Sequence, residues 1–246
     1  MPYINPEDGY LTVINLFKTD SSARVDRLVS EMRAIVDTAA FPGWISSTVH
    51  RGQDRLGTAN FIQWRGKQNL ESRYAGDEFK HRTVPVFQEI TTFIRLMQTE
   101  VELSQRHPSQ GDVTEISPGR DDYTVLEIIG AEPSGQTDLI TTLGAAHDWL
   151  VDVPGYRSQS VLRGIRSRGP GDGGLTAIGR DNDFVAVYSQ WDGKQSYDAF
   201  RATSEDEQPA ARRKSQDKRN SLTTALDWNT YQVVHSRSAP QPSPTG

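Results

Sequence analysis

Two asparagines, a tryptophan and a histidine are the residues of this chain whose types and spacing suggest chemistry. Asn60-Phe61-Ile62-Gln63-Trp64 alternates aromatic or aliphatic residues with polar ones, the period of a β-strand. Period two places Asn60, Ile62 and Trp64 on one face and Ala59, Phe61 and Gln63 on the other. Upstream, Tyr10 to Phe17 reads as a strand whose Leu11, Val13, Asn15 and Phe17 share a face, so a second amide stands among apolar neighbours. Burying such groups without partners is costly. Two readings remain open. An edge strand facing water, or an amide pair satisfied internally, needs no ligand. A pocket between sheet and helices would instead hold a flat aromatic molecule, with the indole stacked on it and the amides donating to its oxygens. His50, near the end of a strand over Trp44 to Arg51, is either a hydrogen-bonded core histidine or an acid/base.

Composition excludes several alternatives. At 246 residues the chain can bury one large core or two small ones, and a net charge of -5 argues against nucleic acid as the main partner. Without cysteine there are no disulfides, thiolate metal sites or cysteine nucleophiles, in keeping with a reducing compartment. No apolar run approaches the ~20 residues of a membrane span, and no signal-peptide pattern opens the sequence, so a soluble, cytoplasmic protein is expected. Five histidines show no metal-ligand spacing, and no G-x-S-x-G elbow occurs. Gly169-Pro170-Gly171-Asp172-Gly173-Gly174 matches G-x-G-x-x-G. Pro170 and the strand-like continuation make it a hairpin loop rather than a dinucleotide cradle. Arg212-Arg213-Lys214 with Lys218-Arg219 reads as a solvated helical face.

The elements that must position these residues come in two copies. After the first strand, Asp20-Ser21-Ser22 offers an N-cap. Val25, Leu28, Val29, Met32, Ile35, Val36 and Ala39 follow at helical spacing, and Pro42-Gly43 stops the helix. The strands Trp44 to Arg51 and Asn60 to Trp64, helical pieces over Gln68 to Phe79 and Val84 to Glu89, and a closing strand over Thr92 to Leu103 complete a β-α-β-β-α-β unit. After a Pro/Gly-containing linker the pattern restarts at Tyr123 with a helix over Leu139 to Val151, and Pro154-Gly155 stops it. Strands over Val161 to Arg166, Phe184 to Trp191 and Thr224 to His235 follow, with a segment at Ser196 to Phe200 between the last two. Gln63-Trp64-Arg65-Gly66-Lys67-Gln68 recurs with one change as Gln190-Trp191-Asp192-Gly193-Lys194-Gln195, which marks a duplication.

The expected organisation is α+β: tandem ferredoxin-like βαββαβ units forming an intrachain pseudo-dimeric α+β barrel. The units are residues 1–104 and 122–237, with a linker at 105–121 and a disordered tail at 238–246. Glu127 and Val187 replace Asn15 and Asn60 in the second copy, while Trp191 is kept. Tyr188 faces opposite to Trp191, toward the bare sheet face where the halves should meet, and His50 is the candidate partner of its phenol.

Asn15, His50, Asn60 and Trp64 on this tandem framework resemble the antibiotic biosynthesis monooxygenase superfamily, over about residues 10–104 and 122–237. The tandem form is most similar to ring-cleaving oxygenases of atypical angucycline biosynthesis, the jadomycin, gilvocarcin and kinamycin group. The resemblance implies O2-dependent cleavage of a C–C bond in ring B of a benz[a]anthraquinone. Reduced flavin (FADH2 or FMNH2) would serve as a diffusible cosubstrate from a separate flavin reductase, with no metal. It implies catalytic roles for Asn60, Asn15, Trp64 and His50, and binding of the polycyclic aromatic polyketide by Trp191, Tyr188, Tyr74 and Arg82. Tyr74 and Arg82 are named because Leu70 stands where quinone-forming relatives carry a tyrosine. The molecule would be a monomeric pseudo-dimer or a homodimer. Three rivals share the fold: a cofactor-free quinone-forming anthrone monooxygenase, a haem-degrading enzyme using His81 on iron, and a non-catalytic polycycle-binding barrel.

Overall fold

The computed structural model describes residues 1–168 and 183–240. The glycine-rich stretch 169–174 and residues 241–246 of the expected tail lie outside the described residues. In the first half run β1 (Tyr3–Ile4), β2 (Leu11–Lys18), α1 (Ser22–Thr38), β3 (Trp44–Gly52), β4 (Gly57–Trp64), α2 (Lys67–Ala75), a π-helical turn (Phe79–Thr83), α3 (Val84–Ile90) and β5 (Phe93–Arg106). In the second run β6 (Thr114–Glu115), β7 (Tyr123–Gly130), α4 (Gln136–Ala145), α5 (His147–Leu150), β8 (Tyr156–Arg168), β9 (Phe184–Trp191), α6 (Lys194–Ala202), α7 (Ala210–Leu222) and β10 (Ala225–Ser238).

Eight strands close into an antiparallel barrel in the order β10-β3-β4-β2-β5-β8-β9-β7. Each half contributes a four-stranded ferredoxin-like sheet, and the sheets join edge to edge at β5–β8 and β10–β3. The closing strands are long for this reason. Residues 93–100 of β5 pair with β2, and its residues 96–106 pair with β8; β10 divides itself likewise between β7 and β3. β8 accordingly begins at Tyr156, five residues before the strand predicted from pattern alone. A closed barrel leaves no open sheet edge.

Strand parity then divides the side chains. Ile14, Leu16, Phe61, Met97, Leu126, Ile128, Leu162, Phe184 and Tyr188 fill the interior. Outside, α1 buries Val25, Leu28, Val29, Met32 and Val36 against the first sheet, its N-terminus capped by Ser21. α4 buries Leu139, Ile140 and Leu143 against the second. The chain stops before β3 and β8 need a left-handed residue, which Gly43 (φ 76°) and Gly155 (φ 80°) supply. A Cβ there would run into Asn69 and Asp192.

The lead-in and linker are more ordered than their composition suggests. β1 pairs with β6, and Ile4 and Ile116 plug the barrel interior. The repeated Gln-Trp explains how this ribbon is held. Gln63 accepts from Ser46 Oγ at 2.6 Å and donates to the Tyr3 carbonyl, while Gln190 accepts from Ser158 Oγ at 2.7 Å and donates to the Glu115 carbonyl. Each glutamine ties down one strand of the ribbon, and the tryptophan beside it points outward. No helix among the described residues is long and apolar enough to cross a membrane.

Gln63→Leu and Gln190→Leu should each cost about 1–3 kcal/mol, the range for stranding buried polar partners. Gln190→Leu should cost more, because that amide also donates to buried Asp122. Urea denaturation of both variants checks the order.

Candidate active site

The outward face of the first sheet carries the site. Asn15 on β2 lies directly across from Asn60 on β4, and Leu11 lies across from Trp64 in the same ladder. Asn15, Asn60 and Trp64 are all turned to one cavity of about 80 Å³ between sheet and helices, walled also by Met32, Val36, Phe41, Trp44, Ile62, Leu70 and Phe87. Asn15 and Asn60 are each 8% exposed and Trp64 is 4% exposed. Neither amide Oδ1 nor the indole Nε1 has a hydrogen-bond partner among the described residues. Trp44 shows the contrast: its Nε1 donates to Ser47 Oγ at 2.8 Å. At about 1–3 kcal/mol per stranded group, three such groups in one apolar hollow are a substantial cost unless a ligand takes them up.

The far wall belongs to α2 and the π-helical turn. Leu70, Arg73 and Tyr74 project into the cavity from one helix face, as i, i+3, i+4 spacing requires. Arg73 lies 4.1 Å over the Phe41 ring and pairs with Glu78 at 3.1 Å. Phe41 in turn stacks on Trp64 at 6.3 Å, and Tyr74 stacks on Phe79 at 4.6 Å. Burial lowers the Arg73 guanidinium pKa, partly offset by Glu78, and pushes the Tyr74 phenol up, so the phenol stays protonated. Arg73, Phe41 and Phe79 escaped the sequence reading, although the spacing from Leu70 would have found Arg73.

Three expected site residues lie elsewhere. His50 pairs across the strands with Ala59, whose parity is opposite to that of Asn60, so the ring points into the barrel interior and not into the cavity. Tyr188 is also interior, 1% exposed, and cannot reach a ligand in either half's outer pocket. The two meet: Tyr188 Oη donates to His50 Nε2 at 2.9 Å, and His50 Nδ1–H donates to the Ala59 carbonyl at 3.2 Å. Burial drives the His50 pKa down to about 4, so the ring is neutral and serves as a brace behind the strand that carries Asn60. Arg82 is exposed on the π-helical turn, outside the cavity lining, because it follows the solvent side of that turn. His81 is exposed beside Asp77, and no cluster of His, Cys, Asp or Glu among the described residues is placed to hold a metal.

This geometry occurs on a known framework. A solved structure described as an anthrone oxidase-like protein is 46% identical to the chain, covers 100% of both chains and superposes with a TM-score of 0.89. The chain belongs to the anthrone oxidase-like family. A monooxygenase-named protein of Fusobacterium nucleatum (9% identity, TM-score 0.56, 94% of each chain) shares the fold. Another from Lactobacillus acidophilus (10% identity, TM-score 0.52, 94% of this chain and 100% of that one) does so too. No protein-family model and no curated protein sequence matches. Membership of this family makes the chain an oxidase or oxygenase in general character; the two monooxygenase-named structures show the fold alone.

In this anthrone oxidase-like chain the second half builds a different pocket. Trp191 lines a cavity of about 250 Å³ together with Trp149, Tyr156, Tyr197 and Phe200. Glu127 and Val187 face each other across β7 and β9 where the first half has its two asparagines. Glu127 is neutralised by Arg219 at 2.8 Å. The basic run on α7, expected to be a solvated face, is split: Arg212 (5% exposed) and Arg219 turn inward to this pocket. The signal was present, since residues 212, 215 or 216, and 219 share one helical face.

The His50 brace sets a pH dependence. An unfolded imidazole protonates near 6.5 and the folded one only at about 4, so the native state resists protonation between those values. The stability involved is fully present above pH 6.5 and should fall by roughly 3 kcal/mol as pH drops through 4. Denaturant midpoints between pH 7 and 4 measure this, and His50→Gln should flatten the slope. Tyr188→Phe leaves Nε2 without a donor and should cost about 1–3 kcal/mol at pH 7.5.

Proposed function

We propose that the chain oxidises an anthrone-type aromatic polyketide with O2 to the corresponding quinone, in the cavity walled by Asn15, Asn60 and Trp64. The observation that supports this reading is the convergence of two side-chain amides with unpartnered Oδ1 atoms and an unpartnered indole N–H in a largely apolar hollow. The anthrone oxidase-like description of a 46% identical protein agrees with it.

The chemistry follows from spin and charge. Triplet O2 reacts slowly with closed-shell molecules, so the substrate must first become electron-rich. A hydroxylated anthrone does so when its methylene carbon loses a proton and the negative charge spreads onto the ring oxygen. Among the described residues the cavity lining offers no free base, Tyr74 being protonated and Arg73 paired, so the carbon acid gives its proton to solvent before the wall closes over the anion. The task of the protein is therefore to lower the energy of the anion: the unpartnered Trp64 Nε1–H and the Nδ2–H groups of Asn15 and Asn60 donate to the oxygen where charge grows, while the unpartnered Oδ1 atoms accept from the hydroxyl groups of the substrate. Trp64 and Phe41 fix the ring plane, and the apolar wall excludes water. The carbanion passes its electrons to O2 and forms a carbon–oxygen bond. Protonation gives a hydroperoxide, and loss of the remaining C–H proton with O–O cleavage gives the carbonyl and water. One oxygen atom enters the quinone and the other leaves as water, so no external reductant is needed.

At about 80 Å³ the cavity is smaller than the roughly 300–1,000 Å³ of ordinary small-molecule sites. Binding a tricycle requires α2 and the π-helical turn to move outward; π-helical turns are frequent at functional sites. The same dimension bears on ring-B cleavage with reduced flavin. Leu70, which stands where quinone-forming relatives carry a tyrosine, favours that reading, whereas holding a flavin beside the substrate would require a still larger opening of the cavity than the tricycle alone does.

Incubation with an anthrone and O2, and separately with a benz[a]anthraquinone, O2 and a reductase-coupled flavin, separates the outcomes by product mass. Flavin-independent quinone formation is expected. Only ring-opened product would transfer the assignment to C–C cleavage, and binding without O2 consumption would make the protein a carrier. Asn60→Ala and Trp64→Ala should each lower kcat/KM, Asn60→Ala by about 10²–10³-fold. Near-full turnover in both variants removes this site from the reaction.

A further inference from the structure

The pocket of the second half is about three times as large as that of the first and has the opposite chemical character. Its aromatic wall is continuous: Trp191 lies 4.9 Å from Phe200 and 5.4 Å from Tyr197, and Trp149 stacks on Phe200 at 6.2 Å. Against this wall stands Arg212, whose guanidinium is 4.1 Å above the Phe200 ring. Arg212 Nη2 donates to the Phe200 carbonyl at 2.9 Å, but Nε has no partner, and no carboxylate pairs with the side chain among the described residues. Trp149 Nε1 is likewise unpartnered in the same cavity. The acid that could have neutralised Arg212, Glu127, is held by Arg219. An arginine 5% exposed, with no carboxylate partner among the described residues, is a costly arrangement in a free protein. It is the arrangement a bound anion would complete.

We propose that the second pocket binds a flat aromatic molecule carrying an anionic group, with Arg212 Nε–H and Trp149 Nε1–H donating to the anion and the Trp191–Phe200–Tyr197 wall taking the ring. The pocket is a binding site and not a second reaction centre. Val187 removes one of the amide donors of the first half, and Glu127, locked to Arg219, replaces the other with a carboxylate that has no N–H to give an oxyanion. The anion has two sources, an aromatic carboxylic acid or the phosphate of a flavin nucleotide. Both present a planar ring and an acid. The proposal does not depend on the oxidation assigned to the first pocket.

The test is isothermal titration calorimetry of the full chain with two matched pairs: anthraquinone-2-carboxylate against 2-hydroxymethylanthraquinone, and FMN against riboflavin. At least one anion should bind tenfold or more tightly than its neutral partner, and the pair that discriminates identifies the source. Arg212→Gln should abolish the discrimination. Ser215→Trp, which fills the cavity from α7 and leaves the guanidinium in place, should abolish the discrimination as well. Circular dichroism reports whether each variant is folded, and Ser215→Trp with the wild-type pairs decides the matter if Arg212→Gln does not fold. Equal affinity for charged and neutral partners, or a discrimination that persists in Ser215→Trp, overturns the proposal.

Discussion

The structure depends on the edge-to-edge closure of two half-sheets. β5 and β10 each leave their own sheet part-way along and continue as the partner of a strand in the other half. That exchange removes every open edge of the eight strands and gives each residue on them one of two addresses, inside or outside. Interior residues form a single shared core. Exterior residues form four smaller clusters, two under the helices of each half. The halves thus share a scaffold but not a pocket, and a substitution on one outer face leaves the other untouched.

This separation is what permits the two outer sites to differ. Both halves keep the left-handed glycine, the inward glutamine and the outward tryptophan, all of which serve the turn, the ribbon and the wall. What changes is the cross-strand pair above the tryptophan. In the first half it is two amides with unmet hydrogen bonds; in the second it is valine opposite a glutamate locked to arginine. Unmet hydrogen bonds are destabilising, so the first half has kept a local cost that the second has shed. The second half carries its own unmet group on a helix instead, in Arg212.

Most of the fold was legible because the patterns that encode it are local and repeated. Alternation along Leu11–Phe17 and Asn60–Trp64, helical spacing in α1, and the repeated Pro-Gly and Gln-Trp pairs each report a period of two or 3.6 or a turn. The cavity face with Asn15, Asn60 and Trp64 was legible for the same reason, whereas Tyr74 was named only through the family resemblance. Other features depended on tertiary contact. β8 was longer than its pattern because it pairs on both sides, with β9 of its own half and β5 of the other, and Ile4 was hidden in a polar lead-in whose pairing with β6 is long-range. Arg212 was read as solvated because charge dominates a single-sequence reading, although its helical register with Arg219 pointed inward. His50 was assigned two roles at once, and parity across β3 and β4 selects the structural one.

His50 also shows how the shared core bears on an exclusive site. Its ring is clamped between the carbonyl of Ala59 and the phenol of Tyr188, one from each half. Ala59 precedes Asn60, so the second half braces, through a single hydrogen-bonded imidazole, the strand on which the first half's amide stands. A charged imidazole would be poorly suited to this position: it would be buried among Phe61, Tyr188 and Tyr231 without a carboxylate, and it could not accept the phenol proton. Neutrality and fixed tautomer follow from the same burial. The interior therefore contributes to the outer site by holding its backbone, which is why a residue type so often associated with proton transfer sits one strand face away from the place where a proton would be moved.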